Sequence, residues 1–131
     1  MKEEINITES ELKVMEVVWG RDTISSKEIN QQLEQSEGWN PNTIRTLLTR
    51  LEQKEIITHI KSGRMYIYSA QVPRERFVKQ ESKKFIQKFF DGRVSDLVMN
   101  FVKEEAVDPK EIDRLQALLM ERNNQDGSTD N

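Results

Sequence analysis

Residues 39–54 read WNPNTIRTLLTRLEQK, and this stretch decides the fold that the sequence predicts. Asn40 is a favoured residue just before a helix, and Pro41 suits the first helical position, where a missing backbone N–H costs nothing. Four apolar residues at helical spacing form one narrow stripe: Ile44, Leu47, Leu48 and Leu51. Asn, Thr, Arg and Gln side chains cover the rest of the circumference. The stretch therefore predicts a helix with one buried face and a broad polar face.

The sequence on either side predicts two helices before this one and a β-hairpin after it. Residues 8–11 and 25–28 both match the capping box, in which a hydroxyl and a carboxylate satisfy each other's free backbone amides. Two runs rich in β-branched and aromatic residues, 56–61 and 65–69, are separated by a turn that contains Gly63. Three short helices followed by a hairpin indicate a winged helix-turn-helix.

From Pro73 onward the pattern changes to three further helices. They are predicted over 74–90, from Ser95, and from Asp108-Pro109 to about Asn123. Their apolar stripes bury too little surface to form an independent monomeric core. We therefore expect these stripes to pack against the same helices of a second copy of the chain.

The predicted fold is mainly α-helical with a small β-hairpin wing, a winged helix-turn-helix followed by a three-helix dimerisation domain. We place the winged-helix DNA-binding domain at 1–72, the helical dimerisation domain at 73–123 and a disordered polar tail at 124–131. Charged residues make up 33% and hydrophobic residues 35% of the 131 residues, so the core must be economical. Dimerisation is a plausible way to bury more apolar surface.

The composition excludes several classes of protein. The sequence has no cysteine, which excludes disulfides, thiolate metal sites and cysteine nucleophiles. Its single histidine, His59, is interpreted as a surface residue of the first hairpin strand rather than a metal ligand. No run approaches 18 consecutive apolar residues and the acidic N-terminus does not resemble a signal peptide, so we expect a cytoplasmic protein. Without a glycine-rich phosphate loop or a His/Cys/Asp cluster, we expect no enzyme, cofactor or metal.

The charge is distributed unevenly along the chain, although the net charge is only -3. Residues 40–69 carry five basic against two acidic residues, a balance of +3, and residues 73–93 carry seven against three, a balance of +4. From residue 94 onward four basic residues face nine acidic ones, a balance of -5. This asymmetry is typical of a chain whose middle part binds a polyanion and whose C-terminal part has a different role.

The predicted third helix carries side chains of the types that can contact DNA. An α-helix fits the major groove, and Arg, Thr, Asn and Gln contact base edges and phosphates. Lys61 and Arg64 add two cations at the hairpin tip, within reach of a phosphate backbone. The alternatives are a solvated helix face and an ordinary turn. From the residues alone, DNA binding and a winged-helix protein-interaction module that binds no DNA both remain open.

The pattern W-x-x-x-T-I-R-T-L-L-x-R-L over residues 39–51, followed by Lys54, resembles the recognition-helix motif of the BlaI/MecI/CopY repressors, specifically the penicillinase repressor type. Residues 8–19 and the wing at 61–69 agree, and the resemblance extends to about residue 122. It implies a homodimeric transcriptional repressor of β-lactamase and related resistance genes that binds a palindromic operator in double-stranded DNA. The residues that match the family's DNA-contacting positions are Asn42, Thr43, Arg45, Thr46 and Arg50, with Lys61 and Arg64 in the wing.

The C-terminal half resembles the dimerisation region of the same family, including residues 95–101. The residues that we expect in the dimer interface, from the apolar stripes of the three C-terminal helices, are Phe85, Phe89, Leu97, Val98, Phe101, Ile112, Leu115, Leu118 and Leu119. In the β-lactam-responsive members a membrane sensor protease triggers cleavage at an Asn-Phe bond, which Asn100-Phe101 matches, so the implied partner is that sensor or a protease it activates. Phe101 is equally interpreted as a dimer-core side chain, and both interpretations can hold. The copper-responsive relatives bind metal through C-terminal cysteines, which this sequence lacks.

Overall fold

A computed structural model of the chain describes residues 3–104 and 107–129. The elements in chain order are α1 (Glu9–Trp19), β1 (Ile24–Ser25), α2 (Ser26–Glu37), α3 (Pro41–Gln53), β2 (Ile57–Ser62), β3 (Met65–Ala70), α4 (Arg74–Phe90), α5 (Val94–Lys103) and α6 (Pro109–Thr129). They form two compact units, one extending to Ser82 and the other starting at Lys83. The mainly α-helical winged helix-turn-helix predicted from the sequence is confirmed.

Helices α1 and α2 begin where their capping residues predict. At α1 the Thr8 hydroxyl accepts the backbone N–H of Glu11 at 3.2 Å, and the Glu11 carboxylate accepts that of Thr8 at 2.9 Å. At α2 the Ser25 hydroxyl accepts the backbone N–H of Glu28 at 3.2 Å, but the Glu28 carboxylate pairs with Arg21. The predicted capping box is therefore complete at α1, whereas at α2 the described contacts contain one half of it.

One apolar core holds the N-terminal unit together. Helices α1, α2 and α3 and the sheet all contribute fully buried side chains: Val14, Met15, Val18, Ile29, Leu33, Ile44, Leu51 and Ile57. Each such side chain stabilises the fold by about 1.5–3 kcal/mol relative to exposure. Because α3 gives this core its whole apolar stripe, its polar face is left on the surface.

The sheet is antiparallel, with strand order β1–β3–β2. In the hairpin His59 lies opposite Tyr68, and Lys61 opposite Tyr66. Because side chains alternate along a strand, these four residues share one face of the hairpin. Gly63 has a φ of +63° in the turn, a conformation that favours glycine, which confirms the predicted hairpin and its turn residue.

Helix α4 spans the boundary between the two units. Phe77 is buried in the N-terminal core, with its ring centroid 6.1 Å from that of Trp19. The Gln80 amide accepts the backbone N–H of Ile5 at 2.8 Å and donates to its carbonyl at 2.7 Å. The sequence placed the boundary at residue 73, where proline changes the chain direction. The first half of α4 nevertheless packs on the N-terminal core, so the compact units divide within the helix.

Helix α5 begins without the predicted serine cap. Val94 is its first residue and Arg93 occupies the N-cap position, where the described contacts include no side-chain cap. The Arg93 guanidinium instead bonds the carboxylate of Asp96 at 2.7 Å. Ser95 therefore lies inside the first turn rather than before it.

Helix α6 is longer than the sequence predicts. It begins at Pro109, and the Asp108 carboxylate accepts the backbone N–H of Lys110 at 2.9 Å, in agreement with the predicted start. It continues to Thr129, whereas the sequence placed its end near Asn123 and disorder over 124–131. No proline follows Pro109 to interrupt the helix. Residues 130 and 131 of the predicted tail lie outside the described residues.

Candidate nucleic-acid interface

Helix α3 presents an exposed polar face opposite its buried stripe. The five residues predicted to contact DNA from this helix are all exposed: Asn42, Thr43, Arg45, Thr46 and Arg50. The helix has 13 residues, which at 1.5 Å per residue gives a rod about 20 Å long. A rod of this kind fits the major groove of B-form DNA, which is about 12 Å wide.

Local hydrogen bonds determine where α3 begins, and they occupy one of the hydrogen-bond donors on its exposed face. The side-chain oxygen of Asn40 accepts the backbone N–H of Thr43 at 2.9 Å, and Pro41 occupies the first turn, as predicted. The Thr46 hydroxyl donates to the backbone carbonyl of Asn42 at 3.0 Å. With its proton engaged in the helix, this hydroxyl retains lone pairs that accept hydrogen bonds from a base or a water.

The hairpin places Lys61 and Arg64 at its exposed tip, as predicted. Lys61 Nζ lies 5.9 Å from the ring centroid of Tyr66, a cation–π contact that keeps the ammonium on the face of the hairpin that Lys61 shares with Tyr66. Both cations are exposed, so they are accessible to a phosphate backbone beside the tip.

A groove of about 880 Å³ runs between α3 and this face of the hairpin. It is lined by Ser26 and Asn30 of α2, by Pro41, Arg45, Leu48, Thr49, Glu52 and Gln53 of α3, and by His59, Lys61, Arg64, Tyr66 and Tyr68 of the hairpin. The groove brings together Arg45, Lys61 and Arg64 from the predicted set. Asn42, Thr43, Thr46 and Arg50 lie on α3 outside its lining.

His59 and Glu52 lie in this groove and were not among the functional candidates from the sequence. His59 Nδ1 lies 2.6 Å from Glu52 Oε1, so the first hairpin strand is joined to α3. The His59 ring centroid is 4.7 Å from that of Tyr66 and 5.5 Å from that of Tyr68. His59 was expected to be a surface strand residue, and it is half-buried and paired. The strand alternation that puts it beside Lys61 was the available signal, but the partner on α3 could not be read from spacing.

The pKa of Tyr68 reflects burial and the charges that surround the same groove. Burial raises the pKa of the Tyr68 hydroxyl above its usual value. The nearby carboxylate of Glu52 and the hydroxyl of Tyr66 raise this pKa further, whereas Arg45 partly lowers it. Carboxylate and guanidinium thus both act on this side of the hairpin.

A buried ion pair ties the C-terminal end of α3 to the start of α1. Glu11 is fully buried, and its Oε1 accepts a hydrogen bond from Lys54 Nζ at 2.6 Å. Lys54 also donates to the backbone carbonyl of Asn6 at 3.1 Å. Burial raises the pKa of Glu11, but the bond from Lys54, the bonds from Thr8 and the ammonium charge outweigh it and leave this pKa below its ordinary value. The pair fixes the far end of α3, and the sequence analysis did not identify it.

The predicted residues of the C-terminal half all retain accessible surface within the chain. Asn100 and Phe101 lie on α5 and are exposed. The predicted interface residues that are exposed are Phe85, Phe89, Phe101, Leu115, Leu118 and Leu119, and those that are half-buried are Leu97, Val98 and Ile112. Apolar side chains with this much free surface are available to contact another chain.

Within residues 3–104 and 107–129, no three His, Cys, Asp or Glu side chains lie close enough together to hold a metal ion. Over the same ranges, no helix combines the length and the apolar character that crossing a membrane requires.

Comparison with known proteins shows the family to which this chain is similar. The penicillinase repressor family model matches residues 7–121. The chain is 32% identical over 124 residues to the penicillinase repressor of Bacillus licheniformis, covering 95% of this chain and 97% of that protein. It is 34% identical over 113 residues to the methicillin resistance regulatory protein MecI of Staphylococcus aureus, covering 86% and 92%.

A solved structure is also similar to part of this chain. The monomeric form of B. licheniformis BlaI in complex with the blaP half-operator has 35% sequence identity and a TM-score of 0.51, and the match covers 57% of this chain and 92% of that chain. The family suggested by the recognition-helix motif is therefore confirmed. The chain belongs to the penicillinase repressor family.

Proposed function

We propose that this protein represses transcription by placing α3 in the major groove of an operator in double-stranded DNA. The observation that carries the proposal is the exposed face of α3, where Thr43 and Arg45 stand on a helix whose opposite stripe is fixed in the core. Arginine reads guanine through two hydrogen bonds, and threonine accepts from or donates to base edges. The complex of the related BlaI with the blaP half-operator supports operator DNA as the partner. Proteins of the family are transcriptional repressors and not enzymes.

The wing holds the DNA backbone in this proposal. Lys61 and Arg64 contact phosphates beside the groove that α3 occupies, while Asn42, Thr46 and Arg50 supply further contacts from the helix. Phosphate contacts release condensed counterions, so affinity falls steeply as salt rises. A function on DNA supports the expected location in the cytoplasm.

The repressor acts as a homodimer on a palindromic operator. Support comes from the apolar side chains of α4, α5 and α6 that the single chain leaves accessible; Leu118 and Met120, for example, are 56% and 67% exposed. A second copy covers such surface, and two-fold symmetry then presents two recognition helices to two half-sites. Linking two binding events raises the overall affinity far above that of one half-site.

The regulated genes are those of β-lactamase or related resistance functions, and the signal is proteolysis between Asn100 and Phe101. The names of the relatives, penicillinase repressor and methicillin resistance regulatory protein, support the first point. The exposure of both residues on α5 supports the second. Cutting there removes α6 from the rest of the chain and weakens the linked binding of two half-sites. The protease is a membrane sensor or an enzyme that the sensor activates.

A fluorescence titration tests DNA recognition. The purified protein is titrated with a palindrome from upstream of its own gene and with scrambled DNA, at 50 mM and 200 mM salt. We expect preference for the palindrome and a large loss of affinity at the higher salt. Equal, negligible binding to both duplexes would overturn the proposal in favour of a protein-interaction module.

A matched pair of variants tests the recognition helix. Thr43→Ala combined with Arg45→Ala should abolish the preference for the palindrome, since each good base contact contributes about 1–3 kcal/mol of discrimination. Arg114→Ala, which removes an exposed cation from α6, should leave the preference unchanged. If the double variant still prefers the palindrome, α3 is not the element that reads the operator.

Proteolysis is tested in cells that carry the cognate sensor genes. After exposure to a β-lactam, mass spectrometry should find fragments that end at Asn100 and begin at Phe101. Derepression with the chain still intact would show that another signal acts.

A further inference from the structure

We propose that His59 and Glu52 form a charge-compensating pair within the DNA-facing groove, through which protonation of His59 strengthens operator binding as the pH falls. The proposal rests on the proposed function, because it concerns the groove between the recognition helix and the wing. It assigns a role to two residues that the proposed contacts with DNA do not use.

The geometry makes the two side chains one unit. His59 Nδ1 lies 2.6 Å from Glu52 Oε1, and the two side chains are 33% and 29% exposed. The rings of Tyr66 and Tyr68 lie against His59, at centroid distances of 4.7 Å and 5.5 Å. The two tyrosine rings and the Glu52 carboxylate together hold the imidazole in position. The pair also spans two elements, because Glu52 belongs to α3 and His59 to β2.

The charges around the pair explain why compensation matters. Among the described residues that line the groove, Glu52 carries the one carboxylate, opposed by Arg45 from α3 and by Lys61 and Arg64 from the hairpin. Helix α2 contributes the uncharged side chains of Ser26 and Asn30, and β3 contributes Tyr66 and Tyr68. A phosphate backbone next to this groove is repelled by the Glu52 carboxylate. When His59 is protonated, its positive charge neutralises the negative charge of the adjacent Glu52 carboxylate.

The direction of the pH dependence follows from proton linkage. With His59 neutral, the three cations and one carboxylate give the lining a net charge of about +2, and protonation of His59 makes it about +3. A polyanion favours the more positive form, so DNA binding takes up a proton and affinity rises as the pH falls. Histidine changes its charge between pH 5 and 8, and this chain contains a single histidine.

The size of the effect is set by how strongly DNA favours the charged imidazole. A preference equivalent to one pKa unit corresponds to a tenfold change in affinity. Part of the pair is exposed and screened by salt, so we expect an increase of roughly three- to tenfold between pH 8.0 and pH 5.5 at low salt. Raising the salt concentration should reduce this ratio.

The test measures the dissociation constant of the full-length protein for the palindrome at pH 5.5 and 8.0, at one fixed ionic strength. In the wild type the affinity should rise by the stated factor at pH 5.5. His59→Gln keeps an N–H donor for Glu52 but cannot become charged, so its affinity should be equal at the two pH values. Glu52→Gln removes the carboxylate and should bind more tightly than the wild type at pH 8.0. Glu34→Gln, on the exposed surface of α2 outside the groove, is the matched control.

The outcomes separate this proposal from the proposed function. If the wild type prefers the palindrome at both pH values but its affinity does not change, or if His59→Gln keeps the wild-type pH profile, the pair has no such role while the repressor function stands. If the wild type binds no duplex at either pH, both proposals fall. The denaturant midpoint of each variant at both pH values shows whether a loss of affinity results from misfolding. If His59→Gln is misfolded, the affinity of Glu52→Gln tests the proposal.

Discussion

Replacing Lys54 with methionine tests the buried ion pair that ties α3 to α1. The substitution keeps an unbranched side chain of similar length and removes the ammonium that lies 2.6 Å from Glu11 Oε1. The Glu11 side chain is 0% exposed, and in the described part of the chain its Oε2 is buried without a hydrogen-bond partner. The carboxylate is therefore left charged and poorly compensated in the core.

The expected cost follows from these contacts. Removing one partner of a buried ion pair costs about 3–5 kcal/mol, because an uncompensated charge remains. The Lys54 side chain is 31% exposed and the backbone N–H of Thr8 still bonds Glu11 at 2.9 Å, which favours the lower end. We expect a loss of about 3 kcal/mol in the free energy of unfolding, with a fall in Tm of roughly 10 °C.

Urea denaturation of Lys54→Met and of the wild type measures this loss. Lys79→Met, on the exposed surface of α4, is the control, and its effect should stay within about 0.5 kcal/mol. Glu11→Gln in the Lys54→Met background should recover part of the stability, since the amide keeps the capping box and removes the charge. Equal stabilities for Lys54→Met and Lys79→Met would refute the argument that this ion pair holds α3.

The same variant has a predictable pH dependence. The pKa of Glu11 lies below its ordinary value of 4.5, so the contribution of the ion pair is fully present above that value. It is lost as the pH falls through the lower pKa of the folded state. In Lys54→Met, acid neutralises the unpaired carboxylate instead. The difference in unfolding free energy between wild type and variant should therefore shrink between pH 6 and pH 3; a constant difference would show that the charge of Glu11 does not cause it.

Three further substitutions test other contacts. Asn40→Ala removes the bond to the backbone N–H of Thr43 and should destabilise the protein by about 1 kcal/mol in urea denaturation, whereas Asn40→Asp should not. Trp19→Phe removes the bond from Nε1 to the Val72 carbonyl at 2.8 Å and should cost about 1–3 kcal/mol; a cost near zero would mean that solvent replaces that bond. Phe101→Asp should weaken the proposed dimer, because a second chain would bury an unpaired charge there. An unchanged dimer in sedimentation experiments would remove Phe101 from the interface.

Sequence analysis succeeded where neighbouring residues determine the structure. Thr8 with Glu11, and Asn40 with Thr43, set helix starts through bonds that span three residues, so local patterns suffice. It was less successful at helix ends and at long-range packing. The C-terminal limit of α6 lacks a strong stop signal, and the packing of Phe77 that divides α4 between the two units involves residues far apart in the chain.

The sequence by itself determined the winged helix-turn-helix, the polar face of α3, the cations of the wing and the family. Each of these follows from periodicity, capping or a contiguous motif. Tertiary structure alone decided which residues meet across elements: Lys54 with Glu11, 43 positions apart, and His59 with Glu52 across the groove. The hairpin alternation and the helical period fix which face each residue occupies. Which of these faces pack against each other depends on the packing of the whole core. The reason is that the hydrophobic effect depends on the total apolar area removed from water and not on any one spacing in the sequence.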